Sequence, residues 1–81
     1  MEKEFKTYLL DQNLSKNTIT SYLYALRQFE EKYDKLTKQN LRDYKVYLIE
    51  NYKPQTVNLR IRAINCYLES IRKEQWKLPS V

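Results

Sequence analysis

Glycine is absent from all 81 residues of this chain. That single fact removes several architectures. Dinucleotide-binding fingerprints, phosphate-binding loops and tight glycine hairpins all need a residue without a Cβ, because φ is positive there or backbone must approach a phosphate closely. With only two prolines beside it, the composition favours helix over a turn-rich β fold.

Helical periodicity then runs along most of the chain. Phe5, Tyr8 and Leu9 fall at helical spacing, with Glu2 and Glu4 in a first turn where the helix dipole favours acids. Asp11-Gln-Asn is a polar break. Ser15 is placed to cap a second helix by accepting from the amide of Asn17 or Thr18, and Leu14 is placed to staple onto Ile19. Ile19, Tyr22, Leu23, Leu26, Phe29 and Tyr33 form its apolar stripe, while Lys16, Thr20, Tyr24 and Arg27 lie opposite. Thr37 caps a third helix with a stripe of Leu41, Tyr44, Tyr47 and Leu48, edged by Val46 or Ile49. Pro54 disfavours the helical region at Lys53 and suits the first position of a fourth helix. There Val57, Ile61, Ile64, Leu68 and Ile71 make a regular stripe, widened by Ala63 and Tyr67. Gln55, Arg62 and Lys73 point away, Asn58 and Asn65 lie between, and Leu59 and Cys66 face outward. Arg60 sits near the apolar seam, where snorkelling beside Tyr67 is the expected packing. The reading is all-α: a compact four-helix bundle with helices over about residues 2–11, 15–33, 37–51 and 54–74. Trp76 is expected to dock back on it. Residues 1–76 form one domain, and residues 77–81, with Pro79, read as an extended linker.

A domain of this size buries roughly 60% of its unfolded surface, too little to house a deep catalytic cleft comfortably. Apolar residues make up 42% and charged residues 31% of the chain, the latter in mixed signs, which speaks against disorder. There is no His, hence neither the commonest general base nor the commonest transition-metal ligand. One Cys, Cys66, makes no zinc cluster and no intrachain disulfide, fits a reducing cytosol, and reads as a small apolar helix residue. Glu30-Glu31 reads as a solvated face, Ser15 and Ser21 have no base partner in sequence, and the tyrosines fall mostly on core stripes. No stretch is apolar enough to span a membrane, and the start lacks a signal-peptide core. The expectation is a cytoplasmic, cofactor-free, metal-free protein without a small-molecule substrate.

Binding chemistry remains. Net charge is +5. Residues 1–52 carry nine Lys/Arg against eight Asp/Glu, whereas residues 53–81 carry six against two. The excess of basic charge therefore sits on the last helix and its tail, which suggests a polyanion, nucleic acid first. Both helix starts offer the side chains that contact phosphates and groove edges: Lys16, Asn17 and Thr20 on one, Thr56, Asn58, Arg60 and Arg62 on the other. Capping alone would explain Ser15, Thr18 and Thr56; Lys16, Asn58 and Arg62 are harder to explain locally.

The pattern Ser15-x-x-Thr18-Ile19-x-x-Tyr22-x-x-x-Leu26-x-x-Phe29, then Leu36-Thr37-x-x-x-Leu41, then Thr56-Val57-Asn58-x-Arg60-Ile61-x-Ala63-Ile64-x-x-Tyr67-Leu68 resembles the core-binding, SAM-like domain of tyrosine recombinases, over essentially the whole chain. The resemblance implies one arm of a clamp that closes on duplex DNA, with the second and fourth helices approaching the major groove. It implies DNA integration or recombination, recombinase protomers as partners, and catalytic Arg, Lys, His and Tyr in a following domain, so that none of the tyrosines here is the nucleophile. Carried over, Lys16, Asn17 and Thr20 match the groove-facing start of the second helix, and Asn58, Arg60 and Arg62 that of the fourth. Lys53 stands where a small polar cap is usual, and Leu59 and Arg62 replace residues that are often basic and small. Two other readings stay open: a helical protein-interaction module presenting Leu59, Cys66 and Trp76, and a small stand-alone enzyme.

Overall fold

The computed structural model describes residues 2–81. Four α-helices follow one another: α1 (Glu2–Asp11), α2 (Lys16–Lys32), α3 (Lys38–Asn51) and α4 (Pro54–Ser70), then a 3₁₀ turn, Glu74–Trp76. The caps are those read from sequence. The Thr18 amide donates to Ser15 Oγ at 3.2 Å, and the Asn40 amide to Thr37 Oγ1 at 3.0 Å. Pro54 opens α4, whose cap residue Lys53 supplies no side-chain bond.

α4 is the spine of the core. Its Ala63 and Tyr67 pack with Phe5 and Leu9 of α1 and Ile19, Tyr22, Ala25 and Leu26 of α2. Its Val57, Ile61, Ile64 and Leu68 pack with Leu41, Tyr44 and Leu48 of α3 and with Phe29 of α2. Serving two sides requires a wide buried arc, and this is why the fourth stripe is broader than an isolated surface helix needs. Leu36 and Ile71 touch both halves. Ala25, not singled out by the periodicity, is fully buried. Leu14 and Ile19 join the same half of the core, as a staple requires.

α4 ends earlier than the periodicity implies. The expected helix to about residue 74 stops at Ser70 because Arg72 turns left-handed, with φ 60°. The Lys73 amide then donates to the Leu68 carbonyl at 2.8 Å and the Arg72 amide to the Glu69 carbonyl at 3.1 Å, closing the helix with a Schellman pair. Glycine is the usual occupant of such a position. In this glycine-free chain Arg72 takes it, and Asn13, with φ 61°, takes the corresponding turn after α1. Asn tolerates this region through its short polar side chain; Arg has no such compensation. Arg72→Gly should therefore stabilise the bundle by about 0.5–1 kcal/mol once the greater freedom of glycine in the unfolded chain is subtracted. Thermal unfolding reads this as a higher Tm; a lower Tm would show that the Arg72 side chain stabilises the fold by more than its backbone geometry costs.

Trp76 and Leu78 fold back against the α3/α4 half of the core, as expected for Trp76. Cys66 is half-buried against the α1/α2 half rather than facing outward. Burial and, after it, Glu69 raise the pKa of its thiol, which suits a packing role.

Candidate nucleic-acid interface

Thr20 borders both candidate sets of residues. With Ser21 and Tyr24 it faces Leu59 and Arg60 of α4 across a shallow depression of about 300 Å³. With Lys16 it also edges a second depression beside Lys6 and Leu10 of α1. Lys16, Asn17 and Thr20 are all exposed on the first turns of α2. Arg62 is exposed on α4, where its charge offsets part of the rise that burial gives the Tyr22 phenol. Among the described residues the ion pairs are Arg27–Glu2 and Lys77–Glu69. Lys16, Lys53 and Arg62 thus present charge that no carboxylate there neutralises.

Two of the sequence-selected residues are already engaged. The Arg60 guanidinium lies between two tyrosine rings, 4.7 Å from the centroid of Tyr24 and 4.7 Å from that of Tyr52. Its Nη1 donates to Gln28 Oε1 at 2.6 Å. The Tyr44 hydroxyl donates to the same oxygen at 2.8 Å, and Gln28 Nε2 donates to the Tyr52 hydroxyl at 3.0 Å. The expected neighbour, Tyr67, lies elsewhere, packed edge-on against Phe5 with centroids 5.3 Å apart. Arg60 projects beside α3 rather than α1 because Tyr52, the C-cap of α3, brings an aromatic face and a hydroxyl to that side. The bond from Gln28 first, and the Arg60 guanidinium beside it second, hold the Tyr52 phenol below its ordinary pKa.

Asn58 is engaged as well. Its Nδ2 donates to the Val81 carbonyl at 3.1 Å, and its Oδ1 accepts from the Val81 amide at 2.8 Å. Asn65, about two turns further along α4, does the same with Leu78: Nδ2 to the carbonyl at 2.9 Å, and Oδ1 from the amide at 2.8 Å. On sequence grounds both asparagines lie between the apolar and polar faces of α4, and the partners of neither are local. Thr56 is half-buried in the first turn of α4. The geometry therefore leaves Lys16, Asn17, Thr20 and Arg62 open to a ligand, and gives Arg60 and Asn58 intramolecular partners.

The patch suggested for a protein-interaction module does not form. Leu59 is 38% exposed, but Cys66 packs on the α1/α2 half of the core and Trp76 on the α3/α4 half. Among the described residues no group of His, Cys, Asp and Glu is arranged to hold a metal ion, and no helix is long and apolar enough to cross a membrane.

Comparison with known proteins adds a family. Residues 2–78 match the family model described as phage integrase, N-terminal SAM-like domain. A protein of Streptococcus sanguinis named "Tyrosine recombinase XerD-like" is 32% identical over 76 residues, a stretch that covers 93% of this chain and 31% of that protein. "Tyrosine recombinase XerA" of Pyrococcus furiosus is 34% identical over 79 residues, covering 94% of this chain and 28% of that protein. The chain thus spans about a third of the length of these relatives. No solved structure matches it.

Proposed function

This chain belongs to the phage integrase N-terminal SAM-like domain family, and from that premise we propose that it is the DNA-binding arm of a tyrosine recombinase, holding duplex DNA through the first turns of α2 and the outer side of α4. The observation that carries this is the set of exposed cations that no carboxylate among the described residues neutralises, Lys16 in the first turn of α2, Lys53 at the cap of α4 and Arg62 on α4, with Asn17 and Thr20 exposed on the first turns of α2. Cations and small polar groups at helix N-termini are what a phosphate backbone recruits. Strand cutting and rejoining belong to residues outside this chain. Other recombinase protomers are its protein partners on the DNA.

Arg60 enters this function indirectly. Locked between Tyr24 and Tyr52, it fixes α4 against α2 and so sets the spacing of the two DNA-facing helices. Arg62 is the direct contact.

Binding to a mixed-sequence duplex should be weak and steeply salt-dependent, each neutralised phosphate adding about 0.9 to the slope of log affinity against log salt. Arg62→Ala should lower affinity for all sequences alike and reduce that slope by about 1, with an unchanged Tm because the side chain is exposed. Titrations between about 50 and 200 mM salt measure both. An affinity indifferent to salt would refute the reading, and a fall in Tm for Arg62→Ala would make Arg62 a structural residue.

A further inference from the structure

The last five residues do not lead away from the bundle. Lys77 has PPII backbone angles, φ −57° and ψ 146°. Pro79 has a fixed φ and keeps Leu78 extended. A PPII segment makes no internal hydrogen bonds, so its amides and carbonyls are free for other partners. Here α4 and α3 supply them. Lys77 Nζ pairs with Glu69 at 2.5 Å, Asn65 takes both polar groups of Leu78, Lys45 Nζ donates to the Pro79 carbonyl at 2.7 Å, and Asn58 takes both polar groups of Val81.

The spacing explains the fit. Asn58 and Asn65 are seven residues apart, about 10.5 Å along a helix. Leu78 and Val81 are three apart, about 9–10 Å along an extended chain. One amide side chain every two helical turns therefore meets one peptide unit per PPII turn. The segment runs back along α4 beside the stripe Asn58, Arg62, Asn65 and Glu69, and Ser80 borders the same cavity as Arg62.

We propose that residues 77–81 form a strap that competes with DNA for the outer side of α4. Docked, it saturates the Asn58 amide and flanks Arg62, so that the DNA-facing stripe is only partly available. Released, it frees Asn58 and Asn65 and the ammonium groups of Lys45 and Lys77. Duplex binding and strap docking are thus mutually exclusive, and anything that pulls the strap away raises DNA affinity. The competition rests on the DNA-binding reading above; the docked strap does not.

The test uses Asn65→Ala, which removes one clamp and leaves Asn58 and the proposed DNA contacts in place. Amide hydrogen exchange is followed by NMR in the 81-residue chain, with and without a mixed-sequence duplex of about 30 base pairs, a length ample for one domain. Without DNA, the Leu78 and Val81 amides should be protected, and Asn65→Ala should speed exchange at Leu78 about 30-fold, the value of two neutral hydrogen bonds. Saturating duplex should remove the protection of both amides in the unmodified chain, and Asn65→Ala should bind duplex several-fold more tightly. Free-peptide exchange at Leu78 and Val81 without DNA would overturn the docked strap. Protection that persists on bound duplex, or unchanged affinity in Asn65→Ala, would overturn the competition alone. Protected amides in a chain that binds no duplex at any salt would overturn the competition together with the DNA-binding reading, and leave the docked strap standing.

Discussion

Replacing Arg60 by alanine is expected to lower the stability of the bundle by about 2–4 kcal/mol, a sum of one hydrogen bond to a charged group and two partly desolvated cation–π contacts. Three elements lose a common partner at once: Tyr24 and Gln28 on α2, Tyr52 at the end of α3, and α4 itself. Gln28 Oε1 keeps its bond from Tyr44, so no buried acceptor is orphaned, and this keeps the loss from being larger. Arg60→Lys should recover little of it, since an ammonium group cannot lie flat between two rings as a guanidinium does. Chemical denaturation measures the loss as a lower midpoint. The same experiment separates the two roles open to Arg60 on sequence grounds: an unchanged midpoint with weakened duplex binding would make it a DNA contact, whereas the predicted loss makes it the residue that sets the α2–α4 spacing.

The second large effect is a fall in stability in alkali. Tyr44 is fully buried, and burial pushes its phenol up to about 12 from an ordinary 10.0. A phenol is neutral when protonated, so a raised folded pKa means that the native state holds its proton more tightly than the unfolded chain. Stability from this group is complete below pH 10 and is lost as pH rises from about 10 to 12. Two pK units correspond to roughly 2–3 kcal/mol. Burial likewise raises Tyr22, Tyr33 and Tyr67, so the fall is shared. Tyr44→Phe should cost about 1 kcal/mol at neutral pH, for the lost bond to Gln28, and should flatten the fall above pH 10. A profile as steep as that of the unmodified chain would assign the alkaline loss to the other tyrosines.

Much of the fold is legible in the order of residues, and the reason differs by element. Ser15 and Thr37 announce helix starts because a cap bonds an amide only three positions away. The stripes of α2, α3 and α4 announce their buried faces because a helix must hide one side. The end of α4 is not legible, because nothing local marks Arg72 as left-handed; a glycine there would. Cys66 reads as outward because its angular position on an isolated helix looks exposed, and the packing of the α1/α2 half of the core covers it.

The candidate interface was half legible. Lys16, Asn17, Thr20 and Arg62 could be picked out because charge and polarity at a helix start need no knowledge of the neighbours. The partners of Arg60 and Asn58 could not. Gln28 and Val81 are 32 and 23 positions from the residues they bind. A spacing of seven between Asn58 and Asn65, with Pro79 downstream, was the available hint of a docked segment.

Helix count, caps and buried stripes thus follow from the chain alone, because a helical hydrogen bond and its side-chain neighbours lie within four residues. Which cation meets which ring, and where residues 77–81 lie, follow from the angle at which α2, α3 and α4 cross. That angle is set by the mutual fit of side chains such as Ala25, Ala63 and Tyr44 from separate helices, and no local stretch encodes it.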